Sequence, residues 1–324
     1  MEKIDILMAT YNGEKYIRQQ LDSILSQTYN EFNLIISDDA SSDNTVGILK
    51  EYENKDSRIK VFKQEKNLGV VENFEFLLKQ VTTDFFMLAD QDDIWEENKI
   101  ETSINKLREE NSDLVYTDLK VVDENLNEIC DSYWKLKGFD KKVFKYNNFE
   151  SLYLNNYITG CTIVCKSKWI DEILPLPKTS KYVIHDYWIS LIISMNGKIS
   201  YIQNATVNYR QHLQNSIGSK RKTDEIKNFD EIRKLFINVK KEHFKVFIEN
   251  NETFNKYYQK LNKKSLKYFE MLENKKYINF RNWNLFFKLY RYEKLIYKLE
   301  NFIILNIPIL GRILFKLKGI KNGK

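Results

Sequence analysis

Phe85-Phe86-Met87-Leu88-Ala89-Asp90-Gln91-Asp92-Asp93 passes from five apolar residues straight into four polar ones. Five consecutive apolar side chains fit a strand covered on both faces, as in a parallel sheet. The same transition occurs three times upstream. Residues 4–9 lead into Thr10-Tyr11-Asn12-Gly13, residues 32–37 into Asp38-Asp39, and residues 58–62 into a turn at Asn67-Leu68-Gly69. Between these runs apolar residues recur at helical spacing: Ile17, Leu21, Ile24 and Leu25, then Val46 and Leu49, then Val71, Phe74, Leu77 and Leu78. Asp43 or Asn44 is placed to cap the second helix. Ile100, Ile104 and Leu107 line a fourth helix, and residues 114–116 read as a fifth strand. The alternation predicts an α/β fold with a mostly parallel central sheet flanked by helices. Right-handed crossovers place the strand carboxyl ends on one edge, where such sheets bind ligands. Four polar segments then converge on one crevice. Loops are polar by default, but carboxylates this dense repel one another unless a cation or ligand compensates.

Composition narrows the class. With 43% hydrophobic and 14% aromatic residues the chain of 324 can build a sizeable core, which excludes a disordered protein. Cys130, Cys161 and Cys165 are too few and too poorly spaced for a disulfide framework or a four-thiolate zinc site, so a reducing compartment fits. Residues 1–10 carry Glu2 and Asp5 and run into a strand, unlike a signal peptide. Residues 1–219 hold 25 basic and 34 acidic residues, a balance of −9; residues 220–324 hold 26 and 11, a balance of +15. Two units with different partners are expected: 1–219, with a nucleotide-binding part over about 1–118 and an acceptor part over about 119–219, and a basic helical extension over 220–324.

Carboxylates at a sheet edge suit a hard divalent cation, Mg²⁺ or Mn²⁺, which takes one or two protein carboxylates and leaves positions for substrate phosphates. There is no G-x-x-x-x-G-K-[ST] loop and no G-x-G-x-x-G after the first strand, so neither a P-loop nor a dinucleotide-binding site is read here.

Five segments together resemble family 2 glycosyltransferases, which have the GT-A fold. They are Ile6-Leu7-Met8-Ala9-Thr10-Tyr11-Asn12-Gly13, Ser26-Gln27-Thr28-Tyr29, Ile36-Ser37-Asp38-Asp39-Ala40-Ser41-Ser42-Asp43, Asn67-Leu68-Gly69, and Asp90-Gln91-Asp92-Asp93-Ile94-Trp95. The last is similar to the DxD segment of the bacterial surface-polysaccharide branch. The resemblance spans roughly residues 3–218. It implies that Thr10, Tyr11 and Asp39, with Asn12, Asp38 and Asn67 beside them, hold the nucleotide. Asp90 would face the ribose, Asp92 would bind the metal, and Asp93 and Trp95 would flank the donor. Ala40 stands where many members have Gly, a small departure.

Further on, Tyr182-Val183-Ile184-His185-Asp186-Tyr187-Trp188 offers a general base. An inverting transfer needs a group that takes the acceptor hydroxyl's proton, and a partly desolvated Asp can do so. Asp186 matches the family's base position; the bland alternative is a helix N-cap. His185 reads as an orienting or structural residue, and Trp188 as part of the donor or acceptor site. Tyr209-Arg210-Gln211-His212-Leu213 carries a His that matches the C-terminal metal ligand of many GT-A enzymes, while Arg210 is a candidate partner for diphosphate. Residues 160–165 read as a strand near donor and acceptor, bringing Gly160 to the site and turning Cys161 and Cys165 to one face for packing. Tyr133, Trp134, Tyr153 and Tyr157 suit either sugar stacking or the core. His243 lies in the tail, away from the chemistry.

The tail interleaves apolar residues such as Ile278, Trp283, Phe286, Phe287, Tyr292 and Tyr297 with Lys288, Arg291, Lys294 and Lys298. Residues 302–315 are apolar except Asn306 and Arg312, too short to span a bilayer and broken by Pro308 and Gly311. A peripheral position on the anionic cytoplasmic face of the cell membrane is expected; a helical subdomain with a solvated basic face is the alternative. No nucleic-acid-binding motif is present. The expected function is metal-dependent, inverting transfer of a sugar from a nucleotide-diphosphate-sugar to a growing lipid-linked surface polysaccharide. Segments 90–95 and 185–188 resemble rhamnosyltransferases, which implies a dTDP-rhamnose donor; other members use a UDP-hexose. A non-catalytic nucleotide- or glycan-binding protein on the same fold is the alternative. A nucleotidyltransferase is weaker, for want of a Gly-rich basic loop after the first strand.

Overall fold

The computed structural model describes residues 2–139, 143–145, 147–212, 229–274, 280–291, 295–308 and 310–313. The chain divides into two compact units, one of residues 1–178 with 184–215 and one of 179–183 with 216–324. Within the first, β1 (Ile4–Thr10), β2 (Phe32–Asp38), β3 (Ile59–Lys63) and β4 (Phe85–Ala89) lie in the order 3-2-1-4, every neighbouring pair parallel. The helices α1 (Ile17–Leu25), α2 (Thr45–Lys55) and α3 (Val70–Leu78) make the crossovers, and α4 (Lys99–Glu109) follows. The spacing of three and four does its work in α1, where Ile17, Leu21 and Ile24 are fully buried against Ile6, Met8, Leu34 and Ile36.

Past β4 the sheet is mixed, which corrects the expectation of a mostly parallel one. It continues through β8 (Val164–Lys166), β6 (Leu114–Val122), β9 (Ile199–Arg210) and β5 (Ile94–Trp95), with β7 (Glu128–Cys130) on β6. β8 is antiparallel to β4 and β6, β5 is antiparallel to β9, and only β6 and β9 are parallel. Five residues separate β6 from β7, too few for a crossover, so that pair is an antiparallel hairpin. The fifth strand is longer than residues 114–116, and position 118 falls inside it, where its register against β9 shifts. Residues 160–165 are not one strand: Gly160–Thr162 is a 3₁₀ turn and β8 begins at Val164. The alternation of faces assumed for Cys161 and Cys165 is therefore broken between them. α5 (His185–Asn196) carries an almost wholly buried surface, as a helix enclosed by neighbours must.

The second unit is helical: α6 (Phe229–Glu249), α7 (Lys256–Glu273), α8 (Phe280–Leu289) and α9 (Leu295–Asn306). Phe244, Phe247, Phe254 and Phe269 pack together, and His243 is buried with its ring 4.2 Å from that of Phe247. Phe286 and Phe302 are buried, with ring centroids 5.2 Å apart, and Trp283 meets Phe302 edge-on at 5.0 Å. Two of the aromatics expected at a lipid boundary are thus in the unit's own core; Phe287 remains exposed. Among the described residues no helix is long and apolar enough to cross a membrane. Ile278, Tyr292, Lys294, residues 213–228 and residues 314–324 lie outside the described residues.

Candidate active site

Parallel register brings the ends of three strands level: Thr10 pairs with Asp38, and Met8 with Ala89, one residue before Asp90. The loops that follow are fastened to one another. Thr10 Oγ1 donates to Asp38 Oδ2 at 2.9 Å, and Ser41 donates to Asp38 through both its N–H and its hydroxyl, at 2.9 and 2.6 Å. Asp38 is fully buried and Thr10 nearly so, so this pair ties β1 to β2 beneath the edge. Asp39 accepts from the backbone N–H groups of Leu68 (2.6 Å) and Gly69 (2.8 Å), which anchors the 67–69 loop, and Asn67 Nδ2 reaches back to the Asp39 carbonyl at 3.3 Å. Tyr11 is 47% exposed at the rim. Asn12 and Ala40 both have positive φ, 48° and 61°, so Ala40 occupies the left-handed conformation that glycine adopts without a side-chain penalty.

Gln91, which the reading of the acidic run passed over, clamps the first loop. Its Oε1 accepts from Tyr11 N at 2.9 Å and its Nε2 donates to Tyr11 O at 3.0 Å. A Cβ on Gly13 would stand 2.2 Å from that Oε1, so glycine is what lets the clamp close. Gln20 Nε2 donates to the Asp90 carbonyl at 2.9 Å. Gln27, from the Ser-Gln-Thr-Tyr segment, accepts from Ile100 N at 3.1 Å and donates to the Glu96 carbonyl at 2.7 Å, fixing the turn after β5.

The acidic run divides by environment. Burial and the charges of Asp92 and Asp186 push the Asp90 carboxyl up to about 7. Asp93 is wholly buried and pushed well above the carboxylate range, first by burial and then by Asp92 and Asp90, against the bond from Arg210 N at 3.1 Å and a weaker one with the Cys161 thiol. Asp92 meets His212, whose Nε2 lies 2.8 Å from its Oδ2; the two side chains are 15% and 8% exposed. The His212 ring rests against Tyr16 at 4.7 Å.

Asp186 sits in the first turn of α5, whose N-cap residue is Ile184 and not Asp186. Its carboxylate accepts from Gly160 N at 3.1 Å and from its own neighbour Tyr187 N at 2.5 Å. Burial raises it to about 6, and those two N–H groups oppose the rise. A Cβ on Gly160 would lie 3.2 Å from Asp186 Cβ and 3.3 Å from His185 Nε2, so this glycine lets the turn rest against both side chains. His185 stacks on Phe74 at 3.9 Å, and burial lowers it to about 3, which keeps the ring neutral.

Two expected ligand contacts are corrected. Arg210 is 1% exposed, and its guanidinium donates to the carbonyls of Asp92 (2.8 Å) and Glu124 (2.8 Å) and to Gln19 Oε1 (2.7 Å), above the Tyr16 ring at 4.6 Å. It is a strut of the site, with its fork turned to protein acceptors and not to a diphosphate. Trp188 is 2% exposed and its indole N–H is spent on the Ile173 carbonyl at 3.0 Å, so it offers no face to a sugar. Trp95 is equally buried. Trp134, Tyr153 and Tyr157 are core residues, while Tyr133 is partly buried, feels the charge of Asp186, and meets Tyr209 edge-on at 6.0 Å.

Among the described residues one group of three ligand-type side chains comes together, Asp90, Asp93 and Cys161, with donor atoms within 4.8 Å of one another. The Cys161 thiol is held well above its usual range by burial and by both carboxylates, so it stays protonated in their midst. Carboxylate and imidazole converging at Asp92 and His212 form a donor set that fits Mg²⁺ or Mn²⁺.

A GT-A-like sheet with an acidic carboxyl edge is the arrangement expected of a glycosyltransferase. The profile of glycosyl transferase family 2 matches residues 5–174, and the chain belongs to that family. It is 29% identical over 225 residues, 69% of this chain and 82% of the other, to the UDP-Glc:alpha-D-GlcNAc-diphosphoundecaprenol beta-1,3-glucosyltransferase WfgD of Escherichia coli. It is 30% identical over 223 residues, 65% and 74% of the two chains, to the dTDP-rhamnosyl transferase RfbG of Shigella flexneri. Among solved structures, S. aureus TarS 1–349 in complex with UDP-GlcNAc matches with a TM-score of 0.58 at 18% identity, over 94% of this chain and 81% of that one. The mannosyltransferase PcManGT of Pyrobaculum calidifontis, in complex with GDP-Man and Mn²⁺, matches at 0.53 and 13%, over 76% and 64%. The fold and the enzyme class follow, and the non-catalytic alternative falls away.

Proposed function

We propose that this enzyme transfers a sugar, with inversion, from a nucleotide-diphosphate-sugar to a lipid-linked glycan in surface-polysaccharide synthesis. The observation that carries the reading is the pairing of two environments at one sheet edge: Asp92 with His212, and a desolvated Asp186 beside Asp90. Asp92 and His212 would hold Mg²⁺ or Mn²⁺, which when bound supplies positive charge to the leaving diphosphate. The rim residues Tyr11, Asn12 and Asn67 border the nucleotide pocket, and the Gln91 clamp and the Asp39 anchor keep its walls in place. Asp186, at about 6, is ionised at neutral pH yet poorly solvated, which favours uptake of the acceptor hydroxyl's proton.

The relatives' names point to two donors, a UDP-hexose by way of WfgD and dTDP-rhamnose by way of RfbG. The diphosphoundecaprenol acceptor in the first name supports a lipid-linked acceptor here. The basic helical unit supports a peripheral position on the inner face of the cell membrane. Lys256, Lys260, Lys263, Lys264 and Lys267 are all exposed and recur at helical spacing on α7, opposite its buried Leu261, Tyr268 and Phe269. The test is a screen of UDP- and dTDP-sugars for hydrolysis and for transfer to a diphosphate-linked lipid acceptor. Release of nucleotide diphosphate from one donor class identifies it; release from none contradicts the reading.

A further inference from the structure

Residues 256–269 of α7 hold five lysines and no acidic residue. Lys256, Lys260 and Lys264 stand four apart, as do Lys263 and Lys267, so like charges face each other along the helix at a small cost to its stability. All five are exposed, and none enters an ion pair among the described residues. The protein itself therefore supplies no anion to this stripe.

The stripe has an apolar edge. Tyr257 lies beside it on α7 and is 48% exposed. Lys288, near the end of α8, sits over the Tyr257 ring at 4.5 Å and ties the two helices together there. Its neighbour Phe287 is 36% exposed and stacks on Phe302 of α9 at 5.4 Å. Leu299, one turn before Phe302 on α9, is 44% exposed. Three helices thus present a tyrosine, a phenylalanine and a leucine next to unpaired cations.

Single exposed apolar residues are ordinary, and a lysine stripe alone is only a solvated face. Their adjacency selects among anionic partners. A second copy of this chain would bring the same lysines face to face. A phosphate backbone would leave Leu299 in water. A bilayer with anionic headgroups answers both features, since its charged surface lies a few Å above an apolar one. We propose that this edge inserts into the membrane: the α7 lysines and Lys288 dock on anionic lipid headgroups, and Tyr257, Phe287 and Leu299 enter the boundary between headgroups and acyl chains. The proposed insertion rests on the peripheral membrane position given above.

Attraction and insertion respond differently to uncharged substitutions. If charge alone holds the protein, replacing an apolar residue leaves lipid affinity as it was. If the edge inserts, affinity falls while its salt dependence, set by the lysines, is kept. The experiment uses the full chain as wild type, Tyr257→Gln, Leu299→Gln and the double variant. Binding is read by sedimentation with vesicles of phosphatidylglycerol and phosphatidylcholine in equal parts, and with phosphatidylcholine alone, over a range of salt. Circular dichroism and Tm check the fold of each variant. The expected result is at least a fivefold loss of affinity for the anionic vesicles in the double variant, with the salt slope of wild type. A folded double variant that binds as tightly as wild type overturns insertion and leaves the lysines as the whole attachment. If the double variant does not fold, the single variants decide in the same way, each with an expected loss of about twofold. Wild type that ignores anionic vesicles removes the peripheral position and the insertion together. Tighter binding to duplex RNA than to anionic vesicles, or a wild-type dimer that the double variant dissolves, assigns the face to nucleic acid or to a second copy and overturns the proposal.

Discussion

His212 Nε2 stands 2.8 Å from Asp92 Oδ2, although the two residues are 120 positions apart in sequence. The contact depends on the pairing of β5 with β9, Ile94 against Asn208 and Trp95 against Val207, which draws the end of the last strand back to the acidic run. Arg210 then locks the two segments by donating to the Asp92 carbonyl. A carboxylate from the middle of the catalytic unit's sequence and an imidazole from its end thus share one point in space.

Asp186 gives the first prediction. Asp186→Asn keeps the shape and removes the proton acceptor, and turnover should fall by about 10²-fold or more with donor KM within a few-fold of wild type. Its raised value fixes the sign of the pH dependence. Below about 6 the carboxyl is protonated and cannot accept a proton; above it the carboxylate is available. Wild-type turnover should therefore rise as pH increases through about 6 and then level off. A profile that falls through this range, or a donor KM that collapses in the variant, would assign Asp186 a structural role.

Ala40 gives a prediction about stability. Its φ of 61° strains an L-residue, and glycine relieves that at some entropic cost in the unfolded chain. Ala40→Gly should stabilise by about 0.5–1 kcal/mol, a rise in Tm on the order of 1–4 °C for a unit of this size. Calorimetry showing an unchanged or lower Tm would mean that the Ala40 methyl makes compensating contacts.

How much of this was legible in the sequence follows from the range of each interaction. The four parallel strands announced themselves because each is a local apolar run with local helical spacing behind it. The mixed half did not: β5 is two residues long, β8 three, and their partners lie far along the chain. The acidic run was conspicuous as a string of charges, but the division of labour within it was not, because it depends on what buries each side chain. Asp93 faces Arg210 N and Asp92 faces His212, although the two are adjacent in sequence. Gln91 was passed over because a glutamine carries no signal alone. Arg210 and Trp188 were misjudged for the converse reason, since a chemically apt side chain was read as ligand-facing when its donors are satisfied within the protein.

The α7 lysines carry the prediction about membranes. Each basic residue close to an anionic surface is worth about 1 kcal/mol, and the attraction fades beyond a Debye length of about 8–10 Å. Changing Lys256, Lys260, Lys263, Lys264 and Lys267 to Gln should release the protein from anionic vesicles in a sedimentation assay while leaving donor hydrolysis unaltered. Binding equal to wild type, or equal binding to neutral vesicles, would show that this face is only solvated. This test is cleaner than removing residues 278–324, which would strip Phe286 and Phe302 from the core of the helical unit.

The central claim is that Asp92 and His212 together hold the cation on which transfer depends. The most direct measurement is donor hydrolysis and transfer by wild type, Asp92→Asn and His212→Asn, each with Mn²⁺ and with EDTA, alongside circular dichroism. The account predicts that EDTA abolishes wild-type activity and that added Mn²⁺ restores it. Each variant should lose about 10²-fold or more with its fold intact. Full wild-type activity in EDTA, or a folded His212→Asn as active as wild type, would contradict it.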